Sequence, residues 1–141
     1  MEEEYIIEYV DNPEESAWSI IGRGLSAYNK QQTGDGGFER VCFVLRSSDG
    51  EIAGGALGEL YWGWFHLDLL WVKDELQGRG YGHSLLTRIE EEAGQRGAKN
   101  IFLDTFSFQA PDFYKKYGYQ VFGVLPEYPP GHQRYFLKKQ L

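Results

Sequence analysis

Gln77-Gly78-Arg79-Gly80-Tyr81-Gly82 decides the reading of this chain. An apolar run, Trp64-Phe65-His66-Leu67-Asp68-Leu69-Leu70-Trp71-Val72, precedes it, and Leu85, Leu86, Ile89 and Ala93 follow at helical spacing. The pattern is strand, glycine turn, helix. Such a turn makes an anion site, because successive N–H groups point into it and the helix dipole adds positive potential. Arg79 can add a charged contact. Two common phosphate patterns fail here. A P-loop needs Gly-Lys-Ser/Thr at its end, whereas Gly82 is followed by His83 and Ser84. A dinucleotide fingerprint needs G-x-G-x-x-G, whereas Gly78, Gly80 and Gly82 are spaced G-x-G-x-G.

Outward from the turn, the remaining elements fall into place. Upstream, residues 5–10 read as a first strand. Asn12 as cap, Pro13 at the first helical position and Glu15 completing a capping box start a helix. It runs to about Gln32, with Gly22 and Gly24 as candidate break points. Residues 41–46 form a strand, Ser48-Asp49-Gly50 a hairpin turn, and residues 52–60 and 64–72 the next two strands of a meander turning at Gly63. The third of these strands, apolar except for His66 and Asp68, is expected to be central and covered on both faces. Downstream, Gly97 stops the second helix. Residues 100–105 form a strand, 110–117 a short helix ended by Gly118, and 119–124 a strand. A proline-rich loop spans 126–131, and a last strand covers 134–138. The sum is a single α+β domain over residues 1–141, with helices flanking a mixed, mostly antiparallel sheet.

Composition narrows the function. The chain has 141 residues, 42% hydrophobic and 25% charged, an ordinary globular mix. Its formal net charge of −7 disfavours nucleic acid and favours cationic ligands such as amines. Four Trp, ten Tyr and nine Phe are more than one small core requires, so some are expected to line a pocket. A single cysteine, Cys42, cannot form an internal disulfide and reads as a buried strand residue. An acidic start without an apolar run and the lack of a long apolar stretch point to a cytoplasmic protein with no membrane contact.

The glycine turn resembles the Q/R-x-x-G-x-G/A pyrophosphate motif of the GNAT N-acetyltransferase superfamily, with Gln77, Gly80 and Gly82 at its defined positions. A second stretch is similar to the superfamily's other signature, N-x-x-A-x-x-x-Y-x-K-x-G-F/Y: Ala110, Tyr114, Lys116, Gly118 and Tyr119 match, and Ser107 stands where the family has Asn. The resemblance implies a GNAT-like sheet with splayed central strands and acetyl-CoA as cofactor. Leu70, Trp71 and Val72 would pair with the pantetheine arm. Gln77, Gly78, Arg79, Gly80, Tyr81, Gly82 and His83 would take the pyrophosphate. Ser107, Ala110, Tyr114 and Lys116 would complete the cofactor site.

The implied reaction is attack of a neutral amine on the thioester carbonyl, with Tyr114 as general acid for the thiolate. The candidate bases are Glu59, His66, Asp68 and Asp104, and a water chain is the alternative. Alternation puts Asp68 on one face with His66 and Leu70. Tyr61, Trp62 and Trp64 form an aromatic hairpin, and Glu127, Tyr128 and His132 lie on the last loop; these are the candidate acceptor contacts. The expected substrate is a small-molecule primary amine. Acetylation of a protein lysine or N-terminus, and a non-catalytic acyl-CoA-binding module, are the alternatives. No metal is expected, and a homodimer is left open.

Overall fold

The computed structural model describes residues 3–11 and 15–141, so the helix start expected at Asn12 and Pro13 lies outside the described residues. The chain divides into two compact units, Met1–Asp35 and Gly36–Leu141. In the first, residues 3–10 form no strand. A strand exists through its ladder partner, and the other element of this unit, the helix α1 (Glu15–Thr33), offers none. That helix runs unbroken through Gly22 and Gly24. Two glycines cost about 1 kcal/mol each in a helix interior, too little to interrupt its hydrogen-bond ladder. Gly34, at φ 80°, closes it by donating to the Lys30 carbonyl.

The second unit is a six-stranded sheet in the order β1-β2-β3-β4-β6-β5. The strands are β1 (Glu39–Arg46), β2 (Ile52–Tyr61), β3 (Trp64–Val72), β4 (Asn100–Phe106), β5 (Gln120–Pro126) and β6 (Gln133–Gln140). Only β3 and β4 run parallel. The connection between them carries a 3-10 turn (Asp74–Leu76) and helix α2 (Tyr81–Gln95); α3 (Pro111–Lys116) follows β4. The turns follow from glycine: Gly50 (φ 89°) closes the first hairpin, and Trp62 and Gly63, both at positive φ, form the second.

Helix α2 buries Leu85, Leu86, Ile89 and Ala93, the stripe expected from the sequence, against the sheet. On the sheet, Phe65, Leu67, Ile101, Leu103 and Leu137 meet it, all at most 3% exposed. Their alternating partners Glu59, His66 and Phe102 lie on the other face, where the His66 ring stacks on Phe102 at 4.6 Å. Cys42 is exposed rather than buried. It alternates with Val41, which takes the core side at 4% exposure.

Two irregularities in β3 position everything that follows. Leu57 pairs with Leu69 and Gly58 with Leu67, so Asp68 is an extra residue, a β-bulge. The bulge resets the alternation: Phe65 and Leu67 before it, and Leu70 and Val72 after it, all turn to the α2 side. His66 and Leu70 therefore do not share a face, contrary to simple alternation. Second, β3 pairs with β4 only from Trp64 to His66. Beyond that the strands splay while β4 stays paired with β6 along its length. Leu69 and Trp71 are 59% and 54% exposed, so the strand is central without being covered on both faces.

Candidate active site

The splay opens a cavity of about 580 Å³. One wall is β3 from Leu67 to Val72, and the other is Leu103, Asp104 and Thr105 of β4. Gln77, Gly78, Gly82, Phe108, Gln109, Ala110, Phe113 and Tyr114 complete the lining, with the Phe113 ring beside Gly82. The glycine turn and the second motif, 30 residues apart in sequence, are brought together here because β3 and β4 are neighbours with α2 between them.

The turn is built to present backbone. Gly78 and Gly80 sit at φ 78° and 87°, a conformation that favours glycine. Gly80 caps α2 without a side-chain hydrogen bond, and the first turn of α2 carries no acidic residue. The first hydrogen bond of the helix runs from Ser84 N to Gly80 O, leaving the preceding N–H groups for an anion. Gln77 Nε2 donates to the Val72 carbonyl at 3.1 Å, fastening the turn to the free end of β3. Of the expected cofactor contacts, Leu70, Trp71, Val72, Gln77, Gly78, Gly82, Ala110 and Tyr114 line the cavity. Arg79, Gly80 and Tyr81 belong to the turn and the start of α2 at its rim. His83 stacks instead on Tyr117 at 4.1 Å, and Lys116 lies exposed over the same ring.

Ser107 is not on the cavity wall. Its Oγ accepts from Gln133 N at 3.1 Å and meets His132 Nδ1 at 3.2 Å, tying the end of β4 to the last loop. A residue that sequence reasoning missed, Gln109, lines the cavity in that region. Its Oε1 accepts from Phe106 N (2.8 Å) and Thr105 Oγ1 (3.1 Å), which leaves its Nε2 as the unspent donor. Only the fold could reveal this, since nothing in the local sequence distinguishes Gln109 from a loop glutamine. Replacing Gln109 by Ala is expected to raise the KM for acetyl-CoA about tenfold, the worth of one lost hydrogen bond in a closed site. Steady-state kinetics with acetyl-CoA varied at saturating acceptor checks it.

Tyr114 is 7% exposed, on α3. Its ring packs edge-on against Phe113 and Tyr119. No hydrogen bond of its hydroxyl is found among the described residues, yet none of their buried side-chain polar atoms lacks a partner. The hydroxyl therefore opens into the cavity. Burial, and secondarily the nearby Asp104 charge, pushes its pKa up to about 12. Tyr119 behind it is differently placed. Its hydroxyl donates to Glu90 Oε2 at 2.7 Å, Lys139 Nζ holds the same carboxylate at 3.0 Å, and burial followed by Glu90 raises its pKa. This satisfied cluster fixes the floor on which Tyr114 rests.

The carboxylate candidates separate. Asp68, exposed on the bulge, and Asp104 both line the cavity. Asp104 Oδ1 accepts from Arg134 Nε at 2.9 Å and pairs with Nη2 at 2.8 Å. Glu59 and His66 face each other across β2 and β3 before the splay, and neither lines the cavity. Nor do Tyr61, Trp62 and Trp64: the hairpin lies at the opposite end of β3, where Tyr61 packs on Trp62 and Phe38. Strand length separates them, because the hairpin starts β3 and the splay ends it. Glu127, at φ 53°, uses its carboxylate to accept from Gly131 N within its own loop. Tyr128 packs on Phe106 and accepts from Arg134 Nη1 at 3.1 Å, close to the Asp104 side of the cavity.

The model of the Acetyltransferase (GNAT) family matches residues 4–119. Blasticidin-S acetyltransferase of Streptomyces morookaense is 42% identical over 65% of this chain and 68% of its own length. An acetyltransferase of Agrobacterium fabrum is 30% identical over 92% of this chain and 95% of its own. The crystal structure of an acetyltransferase from Bacillus cereus superposes with a TM-score of 0.85 at 36% identity, over 95% of this chain and 98% of that one. With the glycine turn, the splayed strands and the family match in agreement, the chain belongs to the GNAT family and is an acetyl-CoA-dependent acyltransferase.

Proposed function

We propose that this enzyme acetylates a primary amine of a small molecule, with Tyr114 as the general acid. The observation that carries the reading is Tyr114: its ring is buried, while its hydroxyl, held protonated and without a hydrogen bond among the described residues, opens into the cavity that the glycine turn borders. Acetyl-CoA, when bound, supplies the acetyl group as a thioester and the sulfur as leaving atom. The α2 N-terminus and the glycine turn hold its phosphates. Backbone N–H groups of β3 beyond the bulge, released from β4, are the donors available to a carbonyl oxygen. Asp68 and Asp104 attract the acceptor ammonium and offer the oxygens that can take its proton, directly or through water. Tyr114 Oη carries the proton that the departing sulfur requires.

The relative named for blasticidin S, 42% identical over 65% of this chain, makes that antibiotic the first acceptor to test. The panel is blasticidin S, spermidine, tyramine and a lysine-containing peptide, each with acetyl-CoA, read by release of free thiol and by mass of the product. Acetylation of one of the three small amines in preference to the peptide is the expected result. Peptide acetylation with inert small amines would move the reading to a protein substrate, and no transfer together with no CoA binding would end it.

A further inference from the structure

We infer that Arg134 is a positioning residue that assembles the acceptor end of the cavity. The inference rests on the acetyl-transfer reading above. Arg134 is the second residue of β6, opposite Phe106 of β4 and Leu125 of β5. Its guanidinium is shared three ways. Nε and Nη2 converge on a single oxygen of Asp104, Oδ1, at 2.9 and 2.8 Å. Nη1 donates to the Tyr128 hydroxyl at 3.1 Å. Its central carbon lies within 5.3 Å of the ring centroids of Phe106, Tyr128 and Phe136.

Each contact has a consequence. Taking Oδ1 with two donors fixes the Asp104 side chain and leaves Oδ2 as its open acceptor, on a residue that lines the cavity. Bonding Tyr128 anchors the loop before β6 to that same carboxylate. Contact with the Phe106 ring extends the patch toward Phe108, whose ring lies 5.4 Å from Phe106 at 10° and also lines the cavity. One planar group thus sets both the charge that meets an ammonium and the aromatic edge beside it. A lysine could satisfy the charge of Asp104. It could not reach Tyr128 and the paired geometry at once, nor stack as a plane. The sequence reads Arg134 only as the first residue of a terminal strand, so this role emerges from the sheet register.

The test uses the full chain carrying Arg134→Lys, Tyr128→Phe, or both, with the panel amine that wild type acetylates fastest. Arg134→Lys is expected to raise the acceptor KM about tenfold or more, with the KM for acetyl-CoA within about twofold, because the lost contacts belong to the acceptor side alone. Tyr128→Phe is expected to have a smaller effect in the same direction. The double variant should be no worse than Arg134→Lys, since both remove one shared hydrogen bond. A purely structural arginine would instead lower the melting temperature and leave the acceptor KM unmoved, or raise both KM values together; either result overturns the inference, as does additivity of the two substitutions. If wild type transfers acetyl normally and Arg134→Lys matches it, only the inference fails. If wild type neither acetylates nor binds any panel amine in the presence of CoA, the acceptor site fails and the inference with it.

Discussion

Replacing Tyr114 by Phe is expected to lower kcat about 100-fold or more, the usual worth of a general acid, while CoA binding stays within about twofold. The ring remains to pack on Phe113 and Tyr119, so only the hydroxyl is lost. That hydroxyl has no hydrogen bond among the described residues, so its removal strands no donor or acceptor there, and the fold should melt at nearly the wild-type temperature. Loss of turnover with intact binding and intact stability separates a proton donor from a core aromatic. Undiminished kcat in the variant would show that the sulfur gets its proton elsewhere.

The same residue predicts a pH dependence. Its pKa is about 12 in the fold, above the ordinary tyrosine value of 10.0. At working pH it is therefore protonated, as an acid must be, and its contribution to the rate should persist past pH 10. The stability effect has a definite sign. Between the ordinary and the folded value the native state binds more protons than the unfolded chain, so stability falls as pH rises through that window. Below it the contribution is fully present. Tyr119 titrates unfavourably in the same direction, but it is present in both proteins. Thermal melts of wild type and Tyr114→Phe at pH 8 and pH 11 isolate the Tyr114 part: wild type should lose more between the two pH values.

The second large effect concerns the bulge. Gly58→Ala is expected to destabilise by about 3 kcal/mol or more, at the upper end for overpacking. A Cβ at Gly58 would fall inside contact distance of the His66 carbonyl and the Phe65 ring. The carbonyl is backbone within the β2–β3 ladder, and Phe65 is 0% exposed, so neither can yield cheaply. Gly58 also faces Leu67, next to the extra residue Asp68, where the register shifts. A variant that folds should therefore carry a damaged splay and a raised KM for acetyl-CoA. Gly22→Ala is the contrast: its Cβ would meet nothing within 4 Å on α1, and it should be neutral or stabilise by about 0.5–1 kcal/mol. Urea unfolding of both variants distinguishes a close backbone approach from a generic cost of losing glycine.

Much of the architecture was legible because it is local. The boundaries of β3, the buried stripe of α2 and the stops at Gly97 and Gly118 follow from periodicity and glycine. The reading of residues 5–10 as a strand did not hold, because strand propensity has no meaning without an edge to pair with. Alternation also failed at Asp68, since one extra residue in a ladder is invisible unless the partner strand is known. The aromatic hairpin, an expected acceptor contact, does not line the cavity. The rings that border it include Phe108 and Phe113.

By itself, the sequence determined the family and the cofactor of this enzyme. Phosphate binding relies on backbone N–H groups in a turn and a helix start, and the spacing of Gln77, Gly80 and Gly82 encodes those locally. Tyr114 was legible for the same reason, through its spacing from Ala110 and Gly118. Only the tertiary structure brought together the groups proposed for the acceptor, although Asp104 and Tyr128 were already sequence candidates. Asp104, Arg134 and Tyr128 come from β4, β6 and the loop between β5 and β6. Their meeting depends on strand order and register, which long-range packing sets and no short pattern records.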